Sequence, residues 1–600
     1  MYDLNTAVRR TELLARSLLG GQGLRPDADP AFVTADGTPS ASHGDNARLL
    51  VALVRLYVEP ASAFHGSEDV LERIERAIAF QLASAEPDGL IDLVSTNWQS
   101  PPDTAFTIQL LAPLVQVIDG ARELRGPASD AHLAGADRIR DGLLRYLERT
   151  APALVDAGFH TPNHRWVVCS ALALAARHLP DLQATAYIER ILAEGVDINE
   201  DGEYSERSTG TYAAVSNRSL VLTADALERP QLLDPVRANL RFMARLFHDD
   251  GTVVTAMSQR QDRGTRVVPV QLASVYREMA HRDGNDEWRA IADMLVDASE
   301  PRWNGAHGEP SLTPVGAAGA GLCAWLLHPF RRHPDLRAAA AVARAQPPRR
   351  YDVHFARSGI YRVRDGEASL TVLRGDHGLL DLVWGPLHLA STKLAGSYFA
   401  KLRFAAATME RTDDGVRLEM PVDAQPRVGY QLPVDTEVPF DEALLMKERR
   451  PWIDHPRFGL TVELARRASG IALRIRSTGG RADVPCQLEL CAHGATRLEI
   501  PGASVSVSGG SGAPTGGTAP RAGATAIVKD GPAVLRSTAH ALRVNPGSRA
   551  HRTLRMRGAE GGCAGLRLLV PMVTPLDEEI AIEWGYWSEP EDGFVATREA

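Results

Sequence analysis

Between about residues 5 and 345, apolar positions recur at the three-to-four-residue spacing that lines one face of a helix. The runs 46–57, 70–82, 104–117, 136–147, 162–179, 185–194, 210–228, 233–247, 271–281, 286–298 and 315–327 are read as helices. Connections 86–103, 196–209 and 249–268 are long and polar. Helical hairpins in a ring or solenoid would gather such loops at one end, where function concentrates on a rigid scaffold. Beyond Pro347-Pro348-Arg349-Arg350 the period shortens to alternation. Runs at 359–364, 369–373, 460–464, 471–476, 487–490 and 579–583, bounded by Gly, Asp and Pro, are read as strands. Many short antiparallel strands imply a sandwich. Within it, residues 508–524 carry too little apolar content to pack and are expected to form a flexible Gly/Ser/Pro-rich loop.

A chain of 600 residues exceeds what one core usually organises, so two domains are expected, 1–345 and 346–600. A net charge of −9 argues against non-specific nucleic-acid binding, so an anionic ligand must meet a local basic site. Cys169, Cys323, Cys486, Cys491 and Cys563 are odd in number and lack a C-x-x-C pair, so free buried thiols are expected and no zinc knuckle. No apolar run suits a signal or a membrane span, which leads to the expectation of a cytoplasmic protein with no membrane partner.

Polar chemistry is concentrated in four stretches. In Thr161-Pro-Asn-His-Arg-Trp166, Thr161 suits an N-cap and Pro162 the first helical position, which puts Asn163 and His164 in the first turn. There the free N–H groups and the positive dipole end favour an anion and a neutral imidazole. Arg165 is a further contact, and Trp166 could stack on a sugar or be buried core. The loop Asp201 to Tyr212 packs Glu203, Tyr204, Glu206, Arg207 and Tyr212 together; Arg207 beside Tyr212 would favour a phenolate. The stretch 96–104 offers Asn97, Trp98 and Gln99 before a helix capped by Asp103, and 258–263 offers Arg260 and Arg263, able to grip carboxylates. For each stretch the plainer alternative is a cap or a solvated surface.

With Asn163-His164, the Asp-Gly…Glu-x-Ser…Tyr loop ending at Tyr212 and the segment His354 to Arg364, the chain resembles the polysaccharide lyases that join an α/α toroid to a β-sandwich, the heparinase II/III and oligoalginate-lyase type. The resemblance spans the helical-then-β layout of nearly the whole chain. It implies an incomplete toroid of hairpins, then an antiparallel sandwich, and β-elimination on a uronate glycan without a cofactor. It also implies that Asn163 neutralises the uronate carboxylate, that His164 and Tyr212 handle protons, and that a sandwich histidine completes the site. The usual His-x-His segment appears only as Arg374-Gly-Asp-His-Gly378 with Asp381, which favours His377, leaves His354 and His388 open, and argues against a bound metal. Alternatives are an inverting glycoside hydrolase using Asp103, Glu203 or Glu206, since toroids also host that chemistry, and a non-catalytic glycan-binding protein.

Overall fold

The computed structural model describes residues 1–20, 32–33, 39–40, 43–93, 95–123, 130–299, 325–338, 347–375, 378–398, 403–422, 457–500, 524–529, 531–551, 556, 565–588 and 593–597. The chain forms two compact units, Met1–Pro348 and Arg349–Ala600. Of the expected flexible loop 508–524, residues 508–523 lie outside the described residues, as does the favoured His377, whereas Ala524 is buried in the core of the second unit.

The first unit is helical: α1 (Leu4–Gly20), α2 (His43–Tyr57), α3 (Glu68–Ala83), α4 (Pro101–Glu123), α5 (Asp130–Thr150) and α6 (Pro162–Ala176). It continues through α7 (Thr185–Ala193), α8 (Tyr212–Ala226), α9 (Leu233–Ala244), α10 (Leu272–Asp283), α11 (Asp286–Ala298) and the short α12 (His328–Arg332) and α13 (Asp335–Ala338). Helices α2, α4, α6, α8 and α10 pack in succession as an inner layer, and each is followed in the chain by its outer partner. Sequence explains the division in part: α6 is apolar beyond its first turn apart from Ser170, α8 mixes small apolar residues with Ser216, Asn217, Arg218, Ser219 and Thr223, and both are buried on most sides, as an inner helix must be. The stretch Pro101–Ala121 is long and apolar enough to cross a membrane, against the expectation of no such run, but 67% of it is buried within the unit as a core helix.

One buried amide levels the inner layer. Gln109 Nε2 donates to Ser170 Oγ at 2.6 Å and to Ser219 Oγ at 2.8 Å. These residues are the ninth of α4, the ninth of α6 and the eighth of α8, and contacts of His164 at the start of α6 with Phe106 of α4, and of Asn163 with Glu206 just before α8, put the three N-terminal ends together, so the helices run parallel. The row is joined end to end by polar ties. Tyr2 donates its backbone N–H to Asp293 and its hydroxyl to Leu326 O, while Arg331 and Arg337 pair with the buried Glu59 at the end of α2. On the other side, Arg282, His328 and His333 surround Glu278 of α10.

The second unit holds, in chain order, β-strands that follow two short pairings of the helical unit, β1 (Phe32–Val33) with β2 (Pro39–Ser40) and β3 (Ile91–Leu93) with β4 (Asn97–Ser100). They are β5 (Arg350–Phe355), β6 (Ile360–Asp365), β7 (Ala368–Leu373), β8 (Leu380–Trp384), β9 (Leu387–Gly396), β10 (Thr408–Arg411), β11 (Gly415–Met420), β12 (Phe458–Arg467) and β13 (Gly470–Gly479). Then come β14 (Pro485–His493), β15 (Arg497–Glu499), β16 (Thr525–Ile527), β17 (Ala533–Ser537), β18 (His540–Asn545), β19 (Leu566–Val573), β20 (Asp577–Ser588) and β21 (Gly593–Ala596). One sheet has the order β16-β19-β14-β9-β8-β7-β6-β5 and the other β10-β11-β12-β13-β20-β18-β17-β15, with β21 on β20. All pairs are antiparallel except β16 with β19. Both sheets feed one apolar core that includes Leu382, Leu389, Leu460, Leu473 and Ile582. The opposite side of the first sheet carries buried polar groups, with Arg362 donating to Thr371 and His388 Nε2 lying 2.7 Å from Asp381 Oδ2. Cys169 and Cys486 are free thiols as expected, but Cys491 is disulfide-bonded, which corrects the expectation there.

The ties at Glu278 make the helical unit acid-sensitive. Burial alone would raise its carboxyl, but His333, His328 and Arg282 outweigh burial and hold it down to about 2. Its contribution is full above the ordinary glutamate value of about 4.3 and is lost as pH falls from there towards 2. Glu278→Gln should cost about 3 kcal/mol at neutral pH, and it should flatten the pH dependence of unfolding in that window, read by denaturant titration at several pH values.

Candidate functional site

Because the inner helices are level, their N-terminal ends and the loops that lead into them share one end of the ring. Pro162 opens α6 as expected, with Thr161 at the capping position. The Thr161 hydroxyl, however, accepts from Asn163 Nδ2 at 2.9 Å and does not bond the helix backbone. At α4 the cap is Ser100 rather than the expected Asp103. The Asp103 N–H donates to Ser100 Oγ, whose hydroxyl donates back to Asp103 Oδ2, and Asn97 Nδ2 adds a bond to Asp103 Oδ2 at 3.2 Å. Tyr212 is the first residue of α8, and its N–H donates to Ser208 Oγ.

The loop before α8 is rigidly pinned. Tyr204 OH donates to Asn217 Oδ1, Asn217 Nδ2 to Asn239 Oδ1, and Asn239 Nδ2 to Gly202 O. Gly202 has a φ of 95°, and a Cβ there would sit 2.4 Å from Ala238 O, so neither its conformation nor its space admits a side chain. Asp262 receives Ser208 Oγ, Gly210 N and Ser258 Oγ, tying this loop to the next one.

This frame brings four of the expected side chains into one connected line. Asn163 donates to Glu206 Oε2 through Nδ2 at 2.7 Å and through its backbone N–H at 3.2 Å. Arg260 Nε lies 3.4 Å from Glu206 Oε1, and its guanidinium stands over the Tyr212 ring at 4.9 Å. Tyr212 OH is 3.4 Å from Gln261 Oε1. His164 flanks this line, edge-on to Phe106 and to His160. Burial lowers its imidazole to about 4 against the favourable field of Asp103, with His160 and Arg260 adding to the lowering, so it is neutral at pH 7. Burial raises the Glu206 carboxyl, although Asn163 and Arg260 oppose this. Asn163 Oδ1, His164 Nδ1 and Glu206 Oε1 are buried without a hydrogen-bond partner among the described residues. Such orphaned groups are costly unless something else meets them.

Several expected residues are placed differently. Trp166 is 1% exposed and donates Nε1 to Asp197 Oδ1, so it is core and not a stacking surface. Arg165 stacks on Trp166 and pairs with Glu194 and Asp197, which removes it from substrate contact. Arg207 pairs with Glu203 at 3.0 Å, and the cation at Tyr212 is Arg260 instead. Arg263 is exposed and outside the connected line. Trp98 is 79% exposed on β4, an aromatic face open to a sugar, and Gln99 beside it has a φ of 43° and donates its N–H to Asp92 Oδ1. In the second unit, His388 is held by Asp381 and His354 lies on β5. Residues that sequence reading missed are Asp262, Asp197 and His43. The last is the first residue of α2, with its pKa lowered by burial against the fields of Asp92 and Asp103. Among the described residues no group of three or more His, Cys, Asp or Glu side chains is placed to hold a metal ion.

No family model and no curated protein matches the chain. Solved structures are similar at low identity. A chondroitin AC lyase mutant from Streptomyces coelicolor A3 is 13% identical, covering 96% of this chain and 79% of that one, with a TM-score of 0.45. The heparan sulfate lyase HepC from Pedobacter heparinus is 8% identical over 99% of this chain and 84% of its own, with a TM-score of 0.38. A sugar epimerase from a ruminal bacterium, 12% identical, covers 56% of this chain and all 100% of its own, with a TM-score of 0.36. At these identities the likeness concerns the course of the backbone and not the side chains of the site.

A His164 held neutral has a direct readout. Its ring ¹⁵N shifts should titrate with a midpoint near 4 and stay constant from pH 5.5 to 8, whereas a midpoint near the ordinary 6.5 would show that the imidazole is solvated.

Proposed function

We propose that the chain is a polysaccharide or oligosaccharide lyase that cleaves a uronic-acid-containing glycan by β-elimination and leaves a 4,5-unsaturated uronate. The observation that carries this reading is the line Asn163–Glu206–Arg260–Tyr212 with neutral His164 beside it, at the N-terminal ends of the inner helices. Helix N-termini and an arginine suit a carboxylate. The C5 proton of a uronate is α to that carboxylate and becomes removable only when the carboxylate's charge is neutralised, a task for preorganised donors. Asn163 and Arg260 would take the carboxylate, Tyr212 or His164 the C5 proton, and the tyrosine would return a proton to the departing O4. The C5–H and C4–O4 bonds break, a C4–C5 double bond forms, and no cofactor enters. Trp98, with Asn97 and Gln99 beside it, would offer the flanking sugar a stacking face. The substrate is a uronate oligosaccharide or polysaccharide, with neither nucleic acid nor membrane as partner. The disulfide at Cys491 suits an oxidising compartment better than the cytoplasm.

A hydrolase reading draws support from Glu206, whose raised carboxyl tends towards a general acid. Turnover separates the two. Incubation with chondroitin, heparosan and alginate should yield an ultraviolet-absorbing unsaturated product, where a hydrolase would give only new reducing ends. Tyr212→Phe should lower kcat by at least ~10²-fold with KM little changed, and Asn163→Ala should cost about 3 kcal/mol in kcat/KM. Full activity in Tyr212→Phe together with an inactive Glu203 or Glu206 variant would favour the hydrolase.

A further inference from the structure

The seat assigned to the uronate carboxylate already faces a carboxylate. The Asn163 amide has two N–H groups, and both are taken, one by Thr161 Oγ1 at 2.9 Å and one by Glu206 Oε2 at 2.7 Å. Its remaining atom, Oδ1, has no partner among the described residues. In this orientation the amide offers a ligand only an acceptor, the wrong polarity for a carboxylate. Turning the amide over would free both N–H groups for the ligand, but it would set Oδ1 against Glu206 Oε2, which is tolerable only if that oxygen carries a proton.

The groups that face Glu206 lead the same way. From α6 come the Asn163 amide and backbone N–H; from the 255–265 loop comes Arg260; across its own loop stands Asp197, a like charge. Tyr212 of α8 lies beneath Arg260. Arg260 is the cation paired with Glu206, and a ligand carboxylate competes for it. Two carboxylates sharing one guanidinium and one amide in a buried site do not both stay ionised.

We propose that Glu206 is a proton-coupled positioning residue: a uronate carboxylate draws Arg260 away from Glu206, Glu206 takes one proton from solvent, and the resulting carboxyl donates to Asn163 Oδ1 so that the amide N–H groups turn to the ligand. This rests on the lyase reading, which places the carboxylate at Asn163. Burial already raises the Glu206 carboxyl, and the contacts that oppose it are the Asn163 and Arg260 contacts that the ligand removes. The backbone N–H of Asn163 remains bonded to Oε2 in either state, since a hydroxyl oxygen still accepts. No bond of the substrate changes in this step; one solvent proton moves to Glu206.

Isothermal titration calorimetry tests this on the full chain carrying Tyr212→Phe to block turnover, with tetrasaccharides of unsulfated chondroitin, heparosan and alginate as probes. Each is titrated in phosphate and in Tris, whose ionisation enthalpies differ. Binding should take up close to one proton per site where Glu206 is ionised in the free protein, and affinity should fall about tenfold per pH unit through that window. In Glu206→Gln, checked for native circular dichroism, binding should proceed without proton uptake and without that pH dependence. Binding with no proton uptake in the parent chain, or the same uptake in Glu206→Gln, would overturn the proposal and leave the lyase reading standing. Failure of all three probes to bind would remove both.

Discussion

Two hydrogen bonds from Gln109 govern the geometry of the helical unit. A buried amide must satisfy both N–H groups, and here each goes to a serine of a different helix, Ser170 and Ser219. A slip of α6 or α8 by one residue would strand a donor in the core. The bonds therefore act as a spirit level for three inner helices whose surfaces, rich in Ala, Ser and Leu, would otherwise slide past one another. Only because α4, α6 and α8 start at the same height do Asp103, His164 and Tyr212, from separate hairpins, come to one end.

What assembles there is electrostatically one-sided. The positive ends of several helices meet a neutral imidazole, a guanidinium stacked on a phenol, and a carboxyl that burial pushes towards its neutral form. Removal of like charge, more than addition of positive charge, sets the character of the site. Two aspartates close by are occupied with structure. Asp197 is tied to Arg165, Trp166 and Ser205, and Asp262 is tied to Ser208, Gly210 and Ser258. They hold the two loops that carry Glu206 and Arg260, so the preorganisation of the site is carried by residues that need not touch a ligand.

Periodicity made the inner and outer helices legible, and the Thr161-Pro162 start of α6 was readable because a proline at the first helical position leaves little choice. The β3–β4 hairpin was not, since residues 91–100 show no alternation. Strands β7 and β8 are buried at every position, so a period of two has nothing to mark, and β8 went unread. Trp166 and Trp98 show the limit for single residues, because both are tryptophans in polar surroundings, yet one is core and the other stands in solvent. Local sequence cannot separate them when the deciding partner, Asp197, lies 31 residues away. The same holds for Tyr212, where the near neighbour Arg207 pairs with Glu203 and the cation arrives from the following loop.

The polar ties at the ends of the helical row have a consequence for how the chain comes to be folded. Each hairpin closes over a short stretch and can form as soon as it is made. The contact of Arg337 with Glu59 spans 278 residues, and that of Tyr2 with Leu326 spans 324. During synthesis from the N-terminus, α1 and α2 must wait with Glu59 unpaired until nearly the whole unit has left the ribosome. Closure is thus the latest and most entropically demanding event of this unit, and an interrupted chain would expose an acidic, half-open arc in place of a ring.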